Sequence, residues 1–163
     1  MINYNGYGAT LDDLHFDPVE LYKKLSGIAN PFTLQDDKSS VFYTLQAGYK
    51  KDYESVTDIQ AHVNNDICEV YVLPCEAWAR RISGVYGNEL ANTNPSKAHA
   101  VLTLNADGTY LVSVRAPLEN RAGADEICTQ FATGGGRKAA AGINKLPVDQ
   151  VDEFISVLSK YYA

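Results

Sequence analysis

Ala98-His99-Ala100-Val101-Leu102-Thr103-Leu104, then Asn105-Ala106-Asp107-Gly108, then Thr109-Tyr110-Leu111-Val112-Ser113-Val114-Arg115, is the stretch that decides the fold. Two apolar, β-branched runs are joined by four turn-forming residues with glycine last. That pattern predicts strands over 98–104 and 109–115 and a tight antiparallel turn. In strict register across a four-residue turn, Ser113 and Arg115 share one face and lie opposite Ala100 and Ala98.

Working outward, Ile59, Ala61 and Val63 alternate with polar residues, Asn64-Asn65-Asp66 forms a turn, and Ile67 to Leu73 reads as a partner strand stopped by Pro74. A helix carrying Trp78, Ile82 and Val85 follows, which Gly84, Gly87 and Asn92–Pro95 are expected to break up. On the other side, Ala124, Ile127, Cys128 and Phe131 have helical spacing. Gly134 to Lys138 reads as a glycine-rich loop, Gly142 to Leu146 as a short strand, and Pro147 opens a helix with the stripe Val151, Phe154, Ile155 and Leu158. Hairpins mixed with helices predict an α+β fold: a mixed, mostly antiparallel sheet with helices packed on it.

Residues 1–57 read as a separate helical appendage or interdomain connector, and 58–163 as the main domain. The first ten residues read as a short strand or loop entering a glycine turn. Asp17-Pro18 is a helix start with Val19, Tyr22, Leu25 and Ile28 on its apolar face. A second helix begins near Ser39 and carries Val41, Phe42, Leu45 and Tyr49. It runs into a polar stretch, Lys50 to Glu54, expected to be a solvated connector.

The 163 residues carry 20 acidic and 14 basic side chains, a formal charge of −6, which argues against a coat for long nucleic acid but allows a local anion site. There is no apolar run of membrane-spanning length and no signal-peptide pattern at the N-terminus. Three cysteines without Cys-x-x-Cys spacing read as reduced thiols of a cytoplasmic protein, with Cys128 in the core.

Gly134-Gly135-Gly136-Arg137-Lys138 is the strongest chemical candidate. Glycines let backbone N–H groups converge on an anion, Arg137 can fork onto phosphate oxygens, and Lys138 adds charge. A flexible glycine turn is the plainer alternative. No Walker loop is present, and the glycines follow a helix, contrary to a dinucleotide fingerprint. Ser113 and Arg115 are the second candidate. Asp12-Asp13-Leu14-His15 invites a metal, but a loop leading to the Asp17 cap is the simpler reading. No nucleophile–base set can be assembled.

The run Gly134 to Gly142 resembles the hallmark loop of the DHH-associated domain, the C-terminal substrate-binding domain of DHH-family phosphoesterases. That family includes RecJ-type exonucleases, oligoribonucleases, cyclic-dinucleotide phosphodiesterases and exopolyphosphatase-like enzymes. Ser113-x-Arg115 resembles the family's Ser-x-Arg strand, and the resemblance covers about residues 58–163. Asn3 to Phe16 is more weakly similar to the region joining the two domains in a bacterial subgroup. The resemblance implies that Ser113, Arg115, Gly134, Gly135 and Gly136 contact substrate. Arg137 stands where the family usually has histidine, so it keeps anion affinity without a titrating imidazole.

The chain holds no Asp-His-His tripeptide and no Asp-x-Asp motif. By the resemblance, manganese or magnesium belongs to a DHH catalytic domain absent from this chain, which itself needs no cofactor. Two expectations follow. One is a recognition domain that binds a phosphorylated small molecule or a short oligonucleotide end without cleaving it, with a DHH catalytic domain in cis or in trans. The other is a stand-alone nucleotide- or nucleic-acid-end-binding protein. No membrane partner is expected.

Overall fold

The computed structural model describes residues 2–163. The chain packs as two compact units, one running to Asp58 and including Ala77–Ile82, the other made of Ile59–Glu76 and Ser83–Ala163. Among the described residues no helix is long and apolar enough to cross a membrane.

The first unit is helical. The segment expected as a strand or loop is instead a 3-10 helix, Ile2–Gly6, with a second over Leu11–Asp13. Helix α1 spans Pro18–Leu25, and Asp17 caps it by accepting from the amides of Val19 and Glu20. Its buried residue is Leu21. Val19 and Tyr22 are 59% and 70% exposed, which removes them from the expected apolar face. Leu21, Leu34 and Val41 form a small core with Phe16 and Leu25 against it.

Helix α2 runs from Val41 to Thr57, so Lys50–Glu54 is helix and not a connector. The reason is its inward side: Leu45 and Val56 are fully buried, and buried Asp52 accepts from Arg81 Nε at 2.7 Å and Nη2 at 2.9 Å, and from the Tyr4 hydroxyl. A charge neutralised in this way can sit inside a helix interface. Desolvation beside the Asp52 carboxylate pushes the Tyr4 phenol well above its ordinary pKa.

The second unit is built on six strands: β1 (Val63–Asn64), β2 (Cys68–Leu73), β3 (Ala98–Leu104), β4 (Tyr110–Arg115), β5 (Gly134–Arg137) and β6 (Ala140–Leu146). Their order is β1-β2-β3-β4-β6-β5, with only β2 and β3 parallel. The fold is α+β with a mostly antiparallel sheet. The hairpin expected from Ile59 survives only as the two residues of β1, Val63 and Asn64, paired with Val70 and Glu69, while Ile59 and Ala61 stay outside the buried core.

Helix α3 spans Ala77–Thr93 without a break. The interruption expected at Gly84 and Gly87 is absent. Both glycines lie where Arg115 packs alongside, and a Cβ on Gly87 would come 3.8 Å from Arg115 Cγ. Helix α4 is only Ala124–Cys128, shorter than the Ala124–Phe131 spacing suggests, and α5 runs Val151–Tyr162 after a 3-10 turn. Ile127, Cys128, Phe154 and Leu158 pack with Val70, Ala100, Leu102, Val112, Val114, Ile143 and Leu146 to form the core on one sheet face. Burial pushes the Cys128 thiol up to about 12, and among the described residues no disulfide is formed.

The central hairpin departs from the expected register by one residue. Arg115 pairs with His99 and Ser113 with Val101, not with Ala98 and Ala100. The loop is five residues long: Gly108 N–H bonds Asn105 O at 3.1 Å, Gly108 has φ +83°, and Asn105 N–H bonds Thr109 O at 2.8 Å. A left-handed glycine after a β-turn adds one residue to a four-residue loop and shifts the pairing.

Candidate functional site

Cross-strand partners share a face, so the register places the candidate residues directly. Arg115 pairs with Ala140, and Ala140 with Arg137; Ser113 pairs with Gly142, and Gly142 with Gly135. Ser113, Arg115, Gly135 and Arg137 therefore stand on one face, opposite to the face that carries the core. Arg115 and Arg137 are two strand spacings apart, about 10 Å between backbones. Between them lie only Ala140 and Gly142, a low floor with a guanidinium on either side.

Arg115 is the half-buried, ordered member. Its Nε donates to Asn88 Oδ1 at 2.7 Å, Nη1 to Ser113 Oγ and to Val114 O at 3.0 Å each, and Nη2 to Gly84 O at 3.1 Å. The Ser-x-Arg pair is thus a contact in its own right: the serine orients the arginine two residues on. These bonds leave Arg115 largely committed to the protein, so it organises the face as much as it presents charge.

Arg137 and Lys138 are exposed and, among the described residues, neither pairs with a carboxylate. Their position is fixed by backbone contacts of the β5–β6 turn: Ala124 N–H bonds Lys138 O at 3.0 Å and Ala116 N–H bonds Ala139 O at 3.1 Å. The turn is tied to the end of β4 and the start of α4, so the two cations are carried on a braced hairpin.

The glycine-rich segment is a strand and not a loop. Successive N–H groups of a strand point in opposite directions, so Gly134, Gly135 and Gly136 do not converge their three amides on one anion. The Gly134 N–H is already donated to Phe131 O at 3.1 Å. Gly134 is glycine for packing, since a Cβ there would overlap the carbonyl oxygen of Cys128. A Cβ on Gly135 would meet nothing within 4 Å.

Next to Arg115 is a cleft of about 320 Å³ that sequence reading missed. Asn88, Asn92, Arg115, Arg121 and Ala139 line it, with Ala91, Ala116 and Leu118, and no acidic side chain faces in. Arg121 is held by a 3.3 Å bond from its Nε to Leu118 O. Nothing in the sequence joins Asn88 and Asn92 to Arg121: a lone loop arginine and two helical asparagines become neighbours only when α3 lies against the end of β4.

Asp12, Asp13 and His15 do not make a metal site. Asp13 accepts from Arg80 Nε at 2.8 Å and Nη2 at 2.6 Å and from the Ala9 amide at 2.9 Å, which holds its carboxyl far below the usual range. The His15 ring packs on Tyr4, with centroids 5.7 Å apart. Among the described residues no three His, Cys, Asp or Glu side chains gather as a metal's donor set.

No protein-family model matches the sequence, and no curated protein matches it. Solved structures do. RecJ from Thermus thermophilus, in complex with Mg2+, superposes with a TM-score of 0.55 at 14% identity over 93% of this chain and 22% of that one. An exopolyphosphatase-related protein from Bacteroides fragilis gives 0.53 at 16% identity, over 93% of this chain and 41% of that one. A DHH domain from a member of a ribosomal-protein family gives 0.51 at 13%, over 93% and 36%. At these identities the likeness is one of fold. The chain spans less than half the length of each of these proteins.

Proposed function

We propose that this chain is a phosphate- and nucleotide-recognising part related to DHH-family phosphoesterases, and that it binds its ligand without cleaving it. The observation that carries this is the shared face of Arg115 and Arg137 across the small floor of Ala140 and Gly142. Two guanidiniums on one face, with Lys138 in the braced turn next to Arg137, suit an oligoanion, since charged, forked hydrogen bonds to phosphate are the strong ones. The Ser113–Arg115 contact and the open Gly135 fit the roles that the resemblance gives these positions. Gly134 and Gly136 enter as the backbone that shapes the strand. The fold likeness to RecJ and to the exopolyphosphatase-related protein supports the same reading.

Hydrolysis would be supplied by a DHH catalytic domain, in cis or in trans, which brings its own metal ions. The test is a titration of the purified chain with a 5′-phosphorylated dinucleotide in the presence of manganese, following binding and cleavage together. Binding without cleavage is expected, and Arg137→Ala weakens it by about 1.5–3 kcal/mol. Absence of binding, or cleavage that persists through repurification, overturns the proposal.

A further inference from the structure

Gly48 sits inside helix α2, where glycine is a poorer helix former than alanine. Its neighbour explains it. A Cβ on Gly48 would come 2.5 Å from both Cε1 and Nε2 of His15, so the imidazole occupies the notch that the missing side chain leaves. The Tyr4 ring lies against it, and the charged neighbours are the Asp52–Arg81 ion pair. In that notch the His15 Nε2 is buried with no hydrogen-bond partner. The stretch leading to His15 is exposed from Gly6 to Asp12. Its other fastenings are the Asp13 carboxylate on Arg80, the Asp13 carbonyl accepting from Arg81 Nη1 at 2.6 Å, and the two bonds between the Asn5 side chain and the Phe16 backbone. Of these fastenings only the imidazole titrates near neutral pH.

We infer that His15 in the Gly48 notch is an acid-released latch on the segment Tyr7–Phe16, which opens before the rest of the first unit. The groups that face the ring are Tyr4 from the first 3-10 helix, Asp52 from α2 and Arg81 from α3. A proton on Nε2 creates a buried donor with no acceptor and a cation beside Arg81. The Asp52 carboxylate offsets part of this, but it already accepts from Arg81 and the Tyr4 hydroxyl. Burial and Arg81 accordingly hold the latched imidazole below 6.5, and release into water restores that value. The latch is therefore at full strength above pH 6.5 and weakens as pH falls. At pH 5.5 one such histidine favours the open segment by up to about tenfold.

The experiment is hydrogen exchange of the full chain at pH 7.5 and 5.5, with exchange times scaled for the intrinsic amide rate. The reporters are the amides of Ala9, Thr10, Asp13, Leu14 and Phe16, each hydrogen-bonded within this segment or to Asn5. Their protection is expected to fall by about three- to tenfold at the lower pH, more than that of α2 or of the sheet. His15→Asn removes this extra pH dependence. Gly48→Ala, which by itself favours the helix, expels the ring and lowers the reporters' protection already at pH 7.5. A loss of protection spread evenly over the chain overturns the inference. So does an extra loss that survives His15→Asn, or a segment that stays fully protected in Gly48→Ala.

Discussion

Gly134 packs so closely under the carbonyl oxygen of Cys128 that a Cβ there would overlap it, while the next residue, Gly135, has open space on its side-chain side. Adjacent glycines thus have different reasons to be glycine. Gly134→Ala is expected to lose several kcal/mol of stability or to fail to fold, because the obstacle is backbone and not a flexible side chain. Gly135→Ala is expected to keep its melting temperature, or gain slightly, since glycine in a strand costs about 0.5–1 kcal/mol relative to alanine. If the Gly135 face meets ligand, that same variant loses affinity. Thermal melting and a nucleotide titration on both variants separate packing from recognition.

The two arginines should behave differently when truncated. Arg137 is exposed and has no carboxylate partner among the described residues, so Arg137→Ala is expected to leave stability within about 0.5 kcal/mol. Arg115 bridges β4 to α3 through Asn88 and Gly84, so Arg115→Ala is expected to lose about 2–3 kcal/mol as well as affinity. Urea midpoints of the two variants, read beside their dissociation constants, check this.

Within the first unit, Asp52 is 2% exposed and neutralises Arg81. Asp52→Ala leaves a largely buried guanidinium without its partner and is expected to lose about 3–5 kcal/mol. Tyr4→Phe removes one hydrogen bond to the same carboxylate and is expected to lose less, about 1–2 kcal/mol. A double-mutant cycle between positions 4 and 52 measures the coupling.

Stability should fall as the solution turns acid. Burial holds the His15 imidazole below its ordinary value of 6.5, with Arg81 adding to the depression, and burial does the same to His99 despite the Glu69 carboxylate beside it. Below pH 6.5 the unfolded chain takes up protons that the folded chain refuses, so folding weakens as pH drops and is unaffected by these groups above that value. The Asp13 carboxyl, depressed by Arg80, extends the loss below about pH 4, the range in which an unfolded aspartate protonates. Urea midpoints measured from neutral pH down through the histidine range should decline, and His15→Asn should flatten part of the slope. A midpoint that rises on acidification would contradict the burial of both rings.

Several elements were legible because their signals are local. The Asp17-Pro18 cap, the strand Ala98–Leu104 and the Phe154 and Leu158 stripe depend on neighbouring residues and lie where they are read, and the strand read over 109–115 begins one residue later, at Tyr110. The shared face of the candidate residues Ser113 and Arg115 was legible for the same reason, since strand alternation alone gives it.

Local sequence was enough for the class of fold, the main strands and helices, and the chemistry on offer at Arg115, Arg137 and Lys138. Packing settled the rest. A left-handed Gly108 moved the hairpin register by one residue, and antiparallel pairing with β6 made a strand of the triple glycine. Helix α3 runs on through Gly84 and Gly87 with Arg115 packed beside them, and burial of Asp52 carried α2 through a polar stretch. The cleft of Asn88, Asn92 and Arg121 exists only because residues far apart in the chain meet. Each of these depends on contacts between distant segments, and local propensity carries no term for such contacts.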